Sequence, residues 1–534
     1  MSVNDQLDKL MGKLDEKDQP SENRLIKKLS QKKDKNPIET SFFETNDYIL
    51  EEIKCPIVKK DEANPANQAN TSPTGLTSLK FLRYSKLDGT LSIVDKVKEG
   101  EKTIKPITSK LALGGIVNLP ETTALPEENE FAGLAELAPL ISDIQELFDK
   151  LFEVPDFERK FLPYYVLFTW VYEKFPFIPY LQFVGLTGTG KTRAGETVAD
   201  LSYKSIDVRG SASISAIFRL ADEWKGTLFI DEFDMDSFGK DNYGAALAFL
   251  KSGVGDGSVL RVEGTNKRTV VAYSVKSPKI FTSEKSITDA GLQSRTYVIE
   301  METSKRKLPL FKIKNKYEEK LNELRTRLLY WRLKNLGKID LSPIEWGYPE
   351  LSSFDQRVQQ VITPIYYLAD EESRKGILQF AKSQEEATYN ERREAISGVV
   401  FEIIKDSGTD EPEFSVIFEA VNVRIVKEGS KPITKRAFGK ILKVNLHFSS
   451  SKKGHDNVTK ITWGKNKFDA MLKYYGYEVA TSDIPLIGDL TGDTTTKDIK
   501  QNLCNVCGGT DFLTRPDGGK VCSICHPPIN KEQL

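Results

Sequence analysis

The sequence predicts a multidomain α/β protein with a helix-flanked parallel sheet at its centre, a small β-rich domain before it, and helical, basic and cysteine-bearing parts after it. Three observations predict this. A chain of 534 residues is too long for one hydrophobic core, and three or four domains suit it better. Short apolar runs alternate with amphipathic ones from Ile178 to Lys251, the pattern of strands and helices in turn. Local composition then shifts twice, to a strongly basic stretch and to a cysteine cluster.

Residues 1–40 are rich in Lys, Asp, Glu and Gln and read as a disordered tail. Strand-like runs such as Ser78–Tyr84 and Thr90–Val97, with a polar linker at Asp61–Gly75, place a small β-rich domain at 41–125. Helical patterns cover 135–153 and 156–174. The second contains the apolar run Phe161–Tyr172, only 12 residues long and followed by Glu173, Lys174, Pro176 and Pro179. A membrane helix needs about 20 apolar residues, so this run is expected to be a buried helix, with no membrane partner. The N-terminus has no apolar segment of the secretory kind. Of five cysteines, four fall in the last 31 residues and Cys55 stands alone, which is not a disulfide framework. A cytoplasmic location is therefore expected.

Ile178–Val184 is a short apolar strand. It runs into Gly185-Leu186-Thr187-Gly188-Thr189-Gly190-Lys191-Thr192, which matches G-x-x-x-x-G-K-[ST], and a helical pattern follows. Glycines let such a loop curl so that its N–H groups face phosphates, and the helix N-terminus adds a field that favours anions. A dinucleotide loop would need G-x-G-x-x-G and has no use for the lysine. Lys191 would hold the β- and γ-phosphates of ATP and Thr192 the Mg²⁺. Thirty-nine residues after Thr192, the apolar strand Thr227–Ile230 ends in Asp231-Glu232. Two carboxylates at the C-terminal edge of a parallel sheet sit where ligands bind. Asp231 would orient the Mg²⁺ and Glu232 the attacking water. The plainer alternative is an acidic surface turn, since Asp234 and Asp236 follow.

From about 180 to 305, with a weaker extension to 385, these motifs resemble the AAA+ ATPases. Within them they look like the MCM-like and superfamily-three helicases of plasmids, viruses and integrating elements. The resemblance implies a P-loop core at 135–305 and a helical lid at 306–388. It implies a polar sensor on the strand Pro278–Ser283, where Thr282 or Ser283 stands in place of the family's frequent Asn. It implies that Arg295, in Ser294-Arg295 before the strand Thr296–Met301, is an arginine finger reaching a neighbouring subunit's ATP; the plainer role is a surface salt bridge. Arg357 resembles a second, lid-borne sensor. Ser258–Glu263 and Arg268–Val275 flank a Gly/Asn turn and read as a hairpin. In these families a hairpin here grips DNA in the ring channel, which would be the task of Lys267 and Arg268.

Residues 390–480 pattern as three helices (Glu391–Lys405, Glu413–Lys427, Ile433–Val444) and two strands (Leu446–Ser450, Val458–Trp463), a winged-helix order. From Arg424 to Lys473 there are 13 Lys and Arg against 3 Asp and Glu, a net of about +10 inside a chain of net charge −1. That asymmetry is the footprint of a phosphate-binding surface. Lys435, Arg436 and Lys440 on the third helix and Lys452 and Lys453 on the wing would meet DNA. At 500–530, Cys504-x-x-Cys507 and Cys522-x-x-Cys525, with 14 residues between, suit a zinc ribbon. His526 is a spare ligand, and two disulfides are the alternative.

The expectation is thus an ATPase using ATP, Mg²⁺ and Zn²⁺. It would act as a homohexameric motor on single- and double-stranded DNA, a replicative helicase or initiator of a mobile element. The rivals are a DNA-binding loader without unwinding activity and an ATP-controlled transcription regulator.

Overall fold

The computed structural model describes residues 37–59, 72–122, 124–208, 213–233, 239–263, 269–311, 314–453, 458–478, 512–514 and 520–522. They fall in two compact units, one of residues 1–407 with 420–432, the other of 408–419 with 433–534.

The first unit opens with β1 (Ile38–Glu39), β2 (Phe42–Glu44), β3 (Tyr48–Lys59), β4 (Ser72–Ser85), β5 (Leu91–Val94), β6 (Val97–Glu99) and β7 (Lys102–Lys105). β2, β3, β4 and β5 make a four-stranded antiparallel sheet, and β1, β7 and β6 a smaller one. Helices α1 (Lys110–Leu113), α2 (Glu128–Leu134), α3 (Leu137–Leu151) and α4 (Asp156–Thr169) follow. Every residue of α4 from Phe161 onward is buried, so its apolar run lies in protein. No helix among the described residues is long and apolar enough to cross a membrane.

The centre is a five-stranded, all-parallel sheet in the order β14-β8-β13-β10-β9. In chain order its elements are β8 (Tyr180–Val184), α5 (Lys191–Leu201), β9 (Ile206–Asp207), α6 (Ile214–Trp224), β10 (Leu228–Ile230), α7 (Gly239–Ser252), β11 (Ser258–Glu263), β12 (Thr269–Ser274), β13 (Lys279–Ser283), α8 (Ala290–Gln293) and β14 (Thr296–Glu300). The sheet strands are short and almost continuously buried, as expected of a parallel sheet covered on both faces. β11 and β12 form a separate hairpin, in register from Ser258↔Ser274 to Glu263↔Thr269. Its expected tip cations, Lys267 and Arg268, lie outside the described residues.

α9 (Lys314–Asn335), α10 (Gln356–Leu368), α11 (Glu371–Glu394) and α12 (Ile396–Asp406) complete this unit. Asp370 caps α11 by accepting from the Ser373 N–H at 2.8 Å. Acids at Glu371 and Glu372 in its first turn and bases at Arg392 and Arg393 in its last suit the helix dipole.

One face of the β-rich N-terminal segment has a small core of its own, Tyr48, Leu50, Phe81 and Ile104, and the other packs on the rest of the unit. Ile49, Ile53 and Leu82 belong to one apolar cluster with α3, α4, β8, α9, α10 and α11. A buried ion cluster reinforces the join. Glu51 on β3 pairs with Lys204 after α5 at 2.9 Å and with Arg332 on α9 at 2.6 Å. Tyr203 donates to the same carboxylate at 3.0 Å. The two cations hold Glu51 below the usual carboxylate range despite its burial.

α13 (Phe414–Lys427) has its first residues in the second unit and its remainder in the first. The second unit continues with α14 (Lys435–Lys440), a π turn at Ile441–Asn445, β15 (Ser449–Lys453), β16 (Val458–Thr462) and α15 (Lys465–Tyr474), and ends with the pair β17 (Phe512–Thr514) and β18 (Lys520–Cys522). β15 begins later than the expected Leu446, because Leu446 closes the π turn and is buried with Phe448. Phe438 of α14 is buried against the rings of Phe414 and Phe418.

Candidate nucleotide site

β8 delivers the chain to the glycine loop, the expected phosphate loop, at the C-terminal edge of the sheet. Gly188 at φ 90° and Gly190 at φ 88° are left-handed, a conformation that glycine adopts without steric cost. Gly185 is required for another reason: a Cβ there would lie 2.7 Å from the carbonyl oxygen of Met301, just past β14. Thr189 braces the turn, its Oγ1 donating to the Leu186 carbonyl at 2.8 Å. Gly190 caps α5, so Lys191 and Thr192 are its first two residues.

At the end of β10, Asp231 Oδ1 accepts from Thr192 Oγ1 at 3.1 Å. The hydroxyl expected to hold Mg²⁺ and the carboxylate expected to orient it thus meet. Both are hard oxygen donors of the kind Mg²⁺ takes, and the pair fits that ion. The next residue, Glu232, is exposed and has a positive φ of 51°. For a residue with a Cβ this is a strained conformation that surrounding contacts must hold.

Those contacts come from β13. The Glu232 N–H donates to Thr282 Oγ1 at 3.1 Å, and the Phe233 N–H to the Thr282 carbonyl at 2.7 Å. Thr282 Oγ1 in turn donates to Asp231 Oδ1. The expected sensor residue is therefore wholly buried and engaged with both acids. Ser283, the other expected sensor, is turned away: it accepts from Gln182 Nε2 at 2.7 Å and donates to the Lys285 carbonyl at 2.8 Å. The polar side chain that β13 does present to the loop is Glu284, just past its end. Glu284 is exposed, and its Oε1 accepts from Thr187 Oγ1 at 2.8 Å. Sequence reading missed it; the available signal was that Glu284 is the first charged residue after the run Ile280–Ser283.

Arg295 and Arg357 lie elsewhere. β14 is parallel to β8 with Thr296 opposite Tyr180 and Glu300 opposite Val184. Arg295 precedes this register by one residue and the glycine loop follows it by one, at Gly185, so Arg295 stands at the opposite sheet edge from its own loop, six strand steps or about 20 Å away. Its Nε is buried without a hydrogen-bond partner among the described residues. Arg357, in the first turn of α10, lies 5.6 Å over the Phe177 ring and donates to Gln360 at 2.8 Å. Arg357 lines a cavity with Ser294 and Thr296, on either side of Arg295, and so lies at that far edge; burial, and after it the charge of Arg295, lower its pKa.

In the second unit, Lys435, Arg436 and Lys440 are exposed on α14, while Phe438 turns inward. Lys452 and Lys453 end β15, and their side chains lie outside the described residues, as do Cys504, Cys507 and Cys525. The backbone of Cys522 closes β18 opposite Phe512. Among the described residues no group of three His, Cys, Asp or Glu gathers as a metal site.

No protein-family model matches the chain, and no curated protein matches it in sequence. Solved structures do. The A-form apo structure of the NrS-1 C-terminal region is matched at a TM-score of 0.34 and 15% identity, over 69% of this chain and 82% of that one. An SCCmec type IV Cch structure described as an active helicase is matched at a TM-score of 0.34 and 11% identity, over 72% and 77%. At that distance neither neighbour says what this chain does.

Proposed function

We propose that this protein is an ATP-driven DNA motor, a replicative helicase or initiator of a mobile element that hydrolyses ATP between the subunits of a homohexameric ring. The observation that carries the reading is the contact of Thr192 with Asp231 beside a phosphate loop of G-x-x-x-x-G-K-T sequence. Lys191 binds the β- and γ-phosphates, and Thr192 with Asp231 would hold Mg²⁺, whose charge offsets that of the phosphates when it is bound. Glu232 orients the attacking water and takes its proton. Thr282 fixes Glu232 through its backbone and Asp231 through its carboxylate. Arg295, out of reach of its own loop, serves a neighbour's nucleotide, with Arg357 beside it.

DNA would be gripped by Lys267 and Arg268 at the tip of the β11–β12 hairpin. It would be recruited by a winged helix carrying Lys435, Arg436, Lys440, Lys452 and Lys453. Cys504, Cys507, Cys522 and Cys525 would hold Zn²⁺ in a terminal ribbon. The test is strand displacement on forked DNA with purified full-length protein. ATP should drive unwinding, and Glu232→Gln should bind ATP but neither hydrolyse it nor unwind. Hydrolysis stimulated by DNA with no displacement of either strand would replace the motor by a loader.

A further inference from the structure

We propose that Glu284 is a charge gate on the phosphate loop, whose carboxylate opposes the terminal phosphate and sets how strongly the site prefers a nucleoside triphosphate to a diphosphate. The proposal rests on reading 185–192 as an ATP site.

β13 lies between the loop strand β8 and the acid-bearing strand β10, so whatever leaves its C-terminal end faces the space between them. Thr282 and Ser283 spend their hydroxyls inside the protein. Glu284 is the first side chain to leave it, and its hydrogen bond to Thr187 fixes the carboxylate over the loop, four residues before Lys191. Among the described residues no lysine or arginine forms an ion pair with it. A phosphate loop attracts anions through its N–H groups, its helix and its lysine. A carboxylate held against the same loop acts in the opposite sense, and most strongly on the phosphate farthest out, because like charges repel more as they approach. A diphosphate seated deeper, on Lys191 and the first turn of α5, feels it less. Glu284 thus differs in role from Asp231 and Glu232, which Thr282 holds together.

The test is calorimetric titration of the full-length chain with MgATP and with MgADP, comparing wild type with Glu284→Gln and Glu284→Asp. The amide of Gln keeps an acceptor for Thr187 and removes only the charge. Glu284→Gln should tighten MgATP by about tenfold and leave MgADP within about twofold, while Glu284→Asp keeps the wild-type ratio. Weaker MgATP binding by Glu284→Gln would make the residue a ligand of the nucleotide and overturn the gate. An equal change for both nucleotides, or none, would overturn it too. Lys191→Ala separates the two levels. If it binds both nucleotides as wild type does, the ATP site itself is misread; if it loses them while Glu284→Gln changes nothing, only the gate fails.

Discussion

Thr282 shows how much one buried hydroxyl can do. It donates to Asp231, accepts from the N–H of Glu232, and so holds a glutamate with a left-handed backbone at the point where the expected water-activating acid must be placed. Thr282→Val keeps the shape and removes the hydroxyl. It should leave the KM for ATP near that of wild type and lower kcat by about 10- to 100-fold, the effect of misplacing a reacting group. An unchanged kcat would show that the strain at Glu232 is held by other contacts. Glu52, next to the paired Glu51, is a residue of the opposite kind. It is 1% exposed, and among the described residues Oε1 has no hydrogen-bond partner and Oε2 accepts only from the Ile107 N–H at 3.2 Å. Burial pushes its pKa up to about 8. The folded state therefore keeps a proton that the unfolded chain loses near pH 4.5, so Glu52 costs stability as pH rises from there to about 8. Each tenfold in proton affinity is about 1.4 kcal/mol, which makes the loss a few kcal/mol. Urea midpoints between pH 5 and pH 8 should fall more steeply for wild type than for Glu52→Gln; parallel curves would mean that Glu52 ionises in the fold at no cost.

At the scale of elements, α5 depends on a close approach. A Cβ on Gly195 would stand 2.6 Å from Thr282 Cγ2 and 3.1 Å from the Phe229 ring, so this glycine lets the loop helix settle on β13 and β10. α14 is organised in the reverse way, with one aromatic anchor inward and its cations outward. If those cations meet phosphates, replacing Lys435, Arg436 and Lys440 together by Glu should weaken duplex binding by the full-length protein. It should also flatten the slope of log K against log salt by about 3, one counterion for each lost contact. Affinity and slope equal to wild type would move the DNA surface off this helix. The elements themselves were largely legible in the sequence. Ile178–Val184, the glycine loop and Thr227–Ile230 announce themselves because apolar runs, glycines and terminal acids are local signals. The sensor was not. Whether Thr282, Ser283 or Glu284 faces the glycine loop depends on how β13 is turned between β8 and β10, and residues 51 positions apart decide it.

At the scale of the molecule, two features of the first unit have long reach. The ion cluster of Glu51, Lys204 and Arg332 joins the N-terminal sheet to the turn after α5 and to α9. The position of Arg295 at the sheet edge away from its own loop carries a prediction about assembly. Arg295→Ala has an intact nucleotide site and offers no guanidinium; Lys191→Ala has the reverse defect. Each alone should be nearly inactive, since such fingers are worth roughly 10³–10⁵ in rate where they have been measured. Mixed under conditions of subunit exchange, the two should regain part of the ATPase activity, provided each variant assembles alone by light scattering. Exchange without any recovery would rule out a finger acting between subunits.

The sequence by itself determined the alternation of strand and helix, the glycine loop with its lysine and threonine, the paired acids after β10 and the cations of α14. Each is written in neighbouring residues whose spacing and chemistry suffice, because a glycine turn or an amphipathic period is set by local backbone sterics and side-chain polarity. Only the tertiary structure decided that Thr282 serves the acids, that Glu284 stands over the loop, that Arg295 and Arg357 share the far edge, and that Glu51 is buried between two cations. These follow from strand order and register and from the burial that pairs distant charges. Such pairing has no local signature, because the cost of desolvating a charge is met by whichever partner the fold brings to it.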